Sequence, residues 1–186
     1  MKREDSINSM RKLLFATIIV ACAASSGWAQ SSDYNKAEFG GGYSLGWLDD
    51  GSGNRERFNG LFVEGTGNFT RYFGIKGEYS YHRKDFGAGL NANIHTFVGG
   101  VQIKDNSTET VVKPFVHAMA GFANARASFA GTGDSSTGFA GVFGGGLDLR
   151  AARHIDVRVI QADYVPTHIE GETQHNFRIG FGIVLH

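Results

Sequence analysis

From about residue 36 onward, apolar and polar residues alternate with a period of two, in eight stretches separated by turn-forming residues, and helical periodicity is hard to find. The first stretch, Lys36 to Trp47, sets Ala37, Phe39, Gly41, Tyr43, Leu45 and Trp47 against Lys36, Glu38, Gly40, Gly42 and Ser44. In the second, Asn59 to Asn68, Leu61, Val63 and Phe69 oppose Glu64, Thr66 and Asn68. The third, Gly74 to His82, is the cleanest, with Ile75, Gly77, Tyr79 and Tyr81 alternating with Lys76, Glu78, Ser80 and His82. The fourth (Asn93 to Lys104) alternates weakly, and in the fifth (Val111 to Arg126) Val112, Pro114, Val116, Ala118, Ala120 and Phe122 share a face. The sixth, Thr137 to Leu149, places Phe139, Phe143, Leu147 and Leu149 opposite Ala140, Gly144, Gly146 and Asp148. The seventh, His154 to Val165, begins Ile155, Val157, Val159 but then puts Gln161 and Asp163 on the same parity, which a bulge near Ile160 would correct. The eighth, His175 to Leu185, carries Phe177, Ile179, Phe181, Ile183 and Leu185 on one face.

The connections form two sets. Those after the first, third, fifth and seventh stretches are long and polar, spanning residues 46–58, 83–92, 127–136 and 166–174, and the others are short. This is the layout of an eight-stranded antiparallel up-and-down meander. The faces then decide the solvent. Glu38, Glu64, Lys76, Glu78, Arg158 and Arg178 sit singly among Gly, Ser, Thr and Asn, while the opposite faces are Phe, Tyr, Ile, Val and Leu. A barrel of about eight strands has an interior that side chains just fill, so charges turned inward must pair across it. The expected fold class is therefore all-β, an eight-stranded antiparallel up-and-down transmembrane β-barrel with a polar, side-chain-filled lumen. Tyr43, Trp47, Tyr79, Tyr81 and Tyr164 are expected to form one interfacial girdle, and Phe39, Phe69 and Phe73 the other.

Composition changes the picture only by exclusion. With 18 basic and 18 acidic residues among 186, the formal net charge is zero, which removes the electrostatic footprint of a nucleic-acid binder. A mean hydropathy of -0.19 excludes a bundle of membrane helices and is compatible with strands that are only half apolar. The 27 Gly follow no Gly-X-Y period, so a collagen is excluded.

The first 29 residues read as an exported leader. Met10-Arg11-Lys12 precedes an apolar run from Leu13 to Ala24, and Gly27 and Ala29 supply the small residues of a cleavage site after Ala29. Met10 is an alternative start. The sole cysteine, Cys22, lies in this segment, within a lipobox-like Ile19-Val20-Ala21-Cys22 that competes with Ala29 as the processing site. Residues 30–186 would be the mature domain.

Several phrases carry a resemblance: Lys113-Pro114-Phe115-Val116-His117-Ala118, Gly144-Gly145-Gly146-Leu147-Asp148-Leu149, Gln161-Ala162-Asp163-Tyr164 and the last strand. The chain resembles the bacterial outer-membrane β-barrel domain family, the small barrels akin to the OmpA membrane domain, the OmpX-like barrels and the opacity adhesins. That resemblance implies residence in the outer membrane of a Gram-negative bacterium, surrounded by outer-membrane lipid and lipopolysaccharide. It also implies recognition of the strand from Phe177 to Leu185 by the outer-membrane assembly machinery. Such signals usually end on an aromatic residue, whereas this chain reads Val184-Leu185-His186.

Chemistry on this scaffold is sparse. His168, Glu170, Glu172 and His175 offer metal-ligating groups, but at a spacing that matches no established motif, so no metal or other cofactor is expected. Asp49-Asp50-Gly51-Ser52-Gly53-Asn54 opens like a calcium loop, yet its twelfth position is Gly60 in place of Glu. His117 and Ser80 fall on separate strands and no G-x-S-x-G occurs, so His82, His95 and His117 read as packed or lumenal residues. The expected function is a non-enzymatic outer-membrane barrel with a structural or surface-interaction role. A lipid A-modifying enzyme and a soluble periplasmic barrel carrying a small apolar ligand are the alternatives.

Overall fold

The computed structural model describes residues 33–49, 55–87, 90–129, 132–169 and 171–186. The expected leader, its cleavage site and Cys22 lie outside them. Among the described residues every regular element is a strand: β1 (Ala37–Asp49), β2 (Arg55–Asn68), β3 (Phe73–Gly87), β4 (Leu90–Lys104), β5 (Val112–Phe129), β6 (Thr132–Ala152), β7 (Ile155–Ile169) and β8 (Glu172–Leu185). Each pairs antiparallel with its sequence neighbour, and β1 closes on β8 from Phe39 opposite Leu185 to Trp47 opposite Phe177. Closure leaves no sheet edge, so every strand finds hydrogen-bond partners on both sides.

Small residues make the seam possible. Gly42 faces Gly182 across β1 and β8, and a Cβ on Gly42 would stand 2.1 Å from the Phe181 carbonyl oxygen. The expected bulge is present. Register shifts between Arg158 and Gln161 on the β8 side, and Val159 and Ile160 both face outward, so that Asp156, Arg158, Gln161 and Asp163 all turn in. Outside, Phe39 (61% exposed), Phe69 (66%) and Ile183 (53%) are typical of an apolar surface around the whole barrel. Apolar outside and charged inside is the reverse of a water-soluble barrel, and it is the arrangement lipid requires.

Two expectations are corrected. Much of the stretches read as exposed loops is strand: residues 46–49 and 55–58, 83–87 and 90–92, 127–129 and 132–136, and 166–169 and 172–174 all pair. Beyond the membrane both faces of a hairpin meet water, so polar residues there keep β pairing while losing the apolar period that marks a strand. Seven residues, 105–111, separate β4 from β5, against two between β3 and β4 and two between β5 and β6. This connection ties together the segment before β1, the β2–β3 turn and the end of β6. Asn35 donates its backbone N–H to the Asn106 carbonyl (3.0 Å), Asn106 to that of Arg71 (2.9 Å), and Arg150 Nη2 to that of Ser107 (3.0 Å). A forked ion pair holds it, with Arg71 Nε and Nη2 on Asp105 Oδ1 and Oδ2 at 2.8 and 3.0 Å. This end, where β1 begins and β8 finishes, is the terminal rim. The end of the four hairpins is the hairpin rim.

Candidate functional site: a filled lumen and a polar rim

Among the described residues, eleven charged side chains of Asp, Glu, Lys and Arg are buried: five cations (Lys76, Lys104, Lys113, Arg158 and Arg178) and six carboxylates (Glu38, Glu64, Glu78, Asp148, Asp156 and Asp163). They form one connected system. Near the terminal rim Lys104 Nζ donates to Glu38 Oε1 and Asp148 Oδ2, both at 2.9 Å, and Lys113 Nζ to Asp156 Oδ2 at 2.8 Å. Arg158 grips Asp148 with Nε (2.8 Å) and Nη2 (3.1 Å), and its Nη1 reaches Glu64 Oε1 and Gln161 Oε1, each at 2.7 Å. Lys76 lies 2.6 Å from the other oxygen of Glu64. Gln161 Nε2 donates to Asp163 Oδ2 at 2.8 Å, which links this group to Arg178. Arg178 reaches Asp163 through Nε at 2.9 Å and Glu78 through Nη1 at 2.5 Å.

The register explains the need for these cations. Glu64 and Glu78 are directly opposite on β2 and β3 and both point inward, a like-charged cross-strand pair that is unfavourable without counter-charge. Lys76 and Arg158 serve Glu64, and Arg178 serves Glu78. Alternation on three strands thus places Glu38, Glu64, Lys76 and Glu78 in the lumen, and the β7 bulge aligns Arg158 with Asp163. The network is side-chain matter that fills the middle and terminal half of the barrel. Toward the hairpin rim an apolar cluster of Val98, Met119, Ala123, Ala140 and Val142 joins buried uncharged polar side chains such as Thr96, Thr167 and Asn176, with a cavity of about 40 Å³ beside His82 and Ile94.

The histidines divide between two environments. His117 and His82 are lumenal, His117 Nε2 lying 2.9 Å from Asp163 Oδ1 and His82 Nε2 2.9 Å from Ser44 Oγ. His95 faces outward, with Nδ1 2.9 Å from the Tyr79 hydroxyl and its ring against Tyr81. His186 turns its ring inward, to 3.1 Å from Asp156 Oδ1. The Ser44–His82 pair has no carboxylate partner on the imidazole among the described residues and sits inside the barrel. Ser80 and His117, which the sequence places on separate strands, do not pair: both are buried, and His117 is engaged by Asp163.

Of the weak metal candidates, Glu170 lies outside the described residues. His168 Nδ1 is 3.0 Å from Thr173 Oγ1, and His175 Nδ1 is 2.5 Å from the Tyr164 hydroxyl, so each ring has its own partner on the β7–β8 hairpin. Glu172 is exposed at the start of β8, and no group of three metal-ligating side chains forms among the described residues.

The anticipated lumenal set lacks Lys104, Lys113, Asp148, Asp156 and Asp163, although Asp148 already fell on the polar face of its stretch and the expected bulge already turned Asp163 inward. Lys104 and Lys113 stand at strand ends, where alternation is weakest. The signal that could have found Lys104, Lys113 and Asp156 is parity, since they alternate with the outward Ile103, Val112 and Ile155 of their strands; the anticipated set, three carboxylates and three cations, is already balanced.

Above the apolar belt, toward the hairpin rim, tyrosine hydroxyls reach polar side chains on the outer surface. Tyr43 donates to Asn59 Oδ1 (2.9 Å) and Tyr81 to Asn93 Oδ1 (3.0 Å). Amphipathic rings with the polar tip turned one way form the girdle expected at a membrane interface. At the terminal rim Phe39, Phe69, Tyr72 and Phe73 are exposed.

Solved structures share this architecture. Neisserial surface protein A superposes with a TM-score of 0.66 at 10% identity, covering 83% of this chain and 99% of that one. The attachment invasion locus protein Ail of Yersinia pestis gives 0.56 at 16% identity, with 80% and 97% covered. The N-terminal β-barrel domain of Pseudomonas aeruginosa OprF gives 0.54 at 9% identity, with 82% and 99% covered. Identities this low speak for the fold alone. No curated protein matches the chain by sequence. The family model of the outer membrane protein beta-barrel domain matches residues 14–184. With the closed eight-stranded meander, the inverted polarity and this match over nearly the whole chain, the protein belongs to the outer membrane protein β-barrel domain family.

Proposed function

We propose that the protein is a non-enzymatic barrel of the bacterial outer membrane with a structural or surface-interaction role, closed to ions along its axis. The observation that carries this reading is the paired lumenal network. Five cations and six carboxylates, cross-linked at hydrogen-bond distance, occupy the space an ion would need. What remains for contact with the surroundings is the outer surface and the hairpin rim, which faces the exterior in this reading. Export would use residues 1–29 with cleavage near Ala29, and insertion would use the strand from Phe177 to Leu185 as a signal to the assembly machinery. Outer-membrane lipid and lipopolysaccharide are the surrounding partners, with no cofactor and no nucleic acid.

Cell fractionation of the expressed protein tests the location, with unboiled and boiled samples compared on SDS gels. The folded barrel is expected in the outer-membrane fraction with an unboiled band that migrates apart from the boiled one. In planar bilayers the purified protein is expected to give no stepwise conductance at neutral pH. Regular, reproducible channel openings would overturn the closed lumen, and a soluble protein without a gel shift would overturn the location.

A further inference from the structure

The outer surface at the hairpin rim is not uniform around the barrel. Arg57, Arg83 and Arg126 are exposed, and each lies on the outward parity of its strand. The register aligns two of them in a single row, Asn59 opposite Arg83, Arg83 opposite Asn93, and Asn93 opposite Arg126. Arg57 stands one outward position above Asn59 on β2, opposite Trp47. With strands spaced about 4.8 Å apart, Arg83 and Arg126 are roughly 10 Å from one another. Among the described residues none of the three is ion-paired. Arg83 Nη2 reaches only Asn91 Oδ1 at 3.3 Å, whereas the neighbouring Arg55 lies over the Phe177 ring. The outward carboxylates at this level are Asp49 on β1 and Asp85 on β3. On the outward positions of β6, β7, β8 and β1 at the same rim, the described residues include no Lys or Arg. The basic character is confined to β2 through β5.

The same four strands carry a second feature deeper in the apolar belt. Gly65, Gly77, Gly99 and Ala120 lie in register across β2, β3, β4 and β5, forming the floor of a recess of about 710 Å³ walled by Tyr79, Phe97 and Phe122. The backbone does not require these glycines. A Cβ on Gly77 would meet nothing within 4 Å, and one on Gly65 or Gly99 nothing nearer than 3.7 Å. Gly100 and Gly121, by contrast, would collide with a neighbouring strand's carbonyl oxygen at 2.1 and 2.0 Å. Gly77 is six residues from Arg83 along β3, about 20 Å of strand. A tilt of about 40° reduces that to roughly 15 Å of depth, half of a hydrocarbon core of about 30 Å. The arginines therefore stand at headgroup level when the recess is near the bilayer midplane.

We propose that β2 through β5 form a binding face for lipopolysaccharide of the outer leaflet, its phosphates on Arg57, Arg83 and Arg126, its sugar hydroxyls on Asn59 and Asn93, and an acyl chain over the glycine recess. Charge complementarity selects the occupant. Guanidinium groups without carboxylate partners bind phosphate through charge-assisted, bidentate hydrogen bonds, and the spacing of the row suits two phosphates on one headgroup. The proposal rests on the reading that the hairpin rim lies in the outer leaflet.

Native mass spectrometry tests it on the folded barrel, released from zwitterionic micelles that contain bisphosphorylated lipid A, its monophosphoryl form or phosphatidylglycerol. The wild type is expected to retain one bisphosphorylated lipid A in preference to the other two. Combined Arg83→Gln and Arg126→Gln should weaken retention about tenfold, as expected for lost charge-assisted contacts, while Arg153→Gln at the terminal rim should not. Gly77→Leu with Gly99→Leu should lower lipid A retention and leave the unboiled gel band unchanged. Millimolar inorganic phosphate is expected not to displace the lipid; full displacement would identify a free-anion site and overturn the lipid assignment. Equal retention by the double arginine variant and the wild type, or equal retention of phosphatidylglycerol, would also overturn it. Absence of the gel shift in the wild-type sample would instead count against the barrel reading itself.

Discussion

Replacing Arg178 by Met isolates what one lumenal cation contributes. Arg178 is the charged partner that the structure gives Glu78, at 2.5 Å, and Glu78 stands opposite Glu64 on the neighbouring strand. Asp163 also loses Arg178 but keeps Gln161 and His117 at 2.8 and 2.9 Å, whereas Glu78 is left without a charged partner. Leaving a buried charge without its partner costs about 3–5 kcal/mol. Glu78→Gln alone leaves Arg178 on Asp163 and removes the repulsion from Glu64, so its cost is expected near 1–2 kcal/mol, the scale of one altered hydrogen bond. The double variant should be no less stable than Arg178→Met and should recover about 2 kcal/mol relative to it, because the stranded carboxylate is gone. Urea unfolding of the refolded barrel, followed by the loss of the fast or slow unboiled gel band and by Trp47 fluorescence, measures all four proteins. Additive costs in the double variant, or a loss under 1 kcal/mol for Arg178→Met, would refute the argument that the lumen is held by charge pairing.

Other outcomes follow from the same structure. The Arg71 guanidinium beside Asp105 holds its carboxyl below the usual carboxylate range, helped by Thr110 and the Ser107 N–H. This contribution is present above the ordinary carboxylate value near 4 and is lost as pH falls through the lower folded value, so Asp105→Asn should flatten stability against pH only in that acidic window, by a small, salt-sensitive amount. A pH series of unfolding midpoints at two salt concentrations checks it. Gly42→Val should abolish the heat-dependent gel shift because its side chain strikes the Phe181 carbonyl across the closing seam, whereas Gly77→Leu on the open outer face should keep it. Phe115→Ala should destabilise by about 3 kcal/mol or more, since the ring is 3% exposed and lies 4.3 Å beneath the Arg158 guanidinium, and unfolding midpoints measure this.

How much of this was legible depended on whether one face met lipid. On β3, Ile75, Gly77, Tyr79 and Tyr81 against Lys76, Glu78, Ser80 and His82 fixed both the strand and its orientation, because the two environments differ so sharply. On β7 the break in parity at Val159 and Ile160 was readable as a bulge, since two strict alternations of opposite phase can be joined only by an extra residue. The hairpins beyond the membrane were not readable. Residues 83–85 and 135–136 are polar without alternation, and pairing there is set by the strands that feed it rather than by any hydrophobic period. The ion pairs were legible as a requirement and not as a pattern: one sequence shows that Glu64 and Glu78 need cations, but only the three-dimensional register gives Glu64 to Arg158 and Glu78 to Arg178. The arginine row belongs with these, since Arg83 and Arg126 become neighbours through Asn93 on the strand between them.

The inversion of polarity is the centre of the account, and its phase can be measured directly. With Cys22 replaced, single cysteines carrying a nitroxide would be placed along β2 and β3 at Leu61, Val63, Gly65 and Ile75, and at Phe62, Thr66 and Ser80, in the barrel reconstituted into bilayers. The account predicts that labels at the first four sites relax with lipid-dissolved oxygen and labels at the last three do not, a period-two alternation along each strand. Oxygen access in the opposite phase, or water-soluble reagent access at the first four sites, would contradict it.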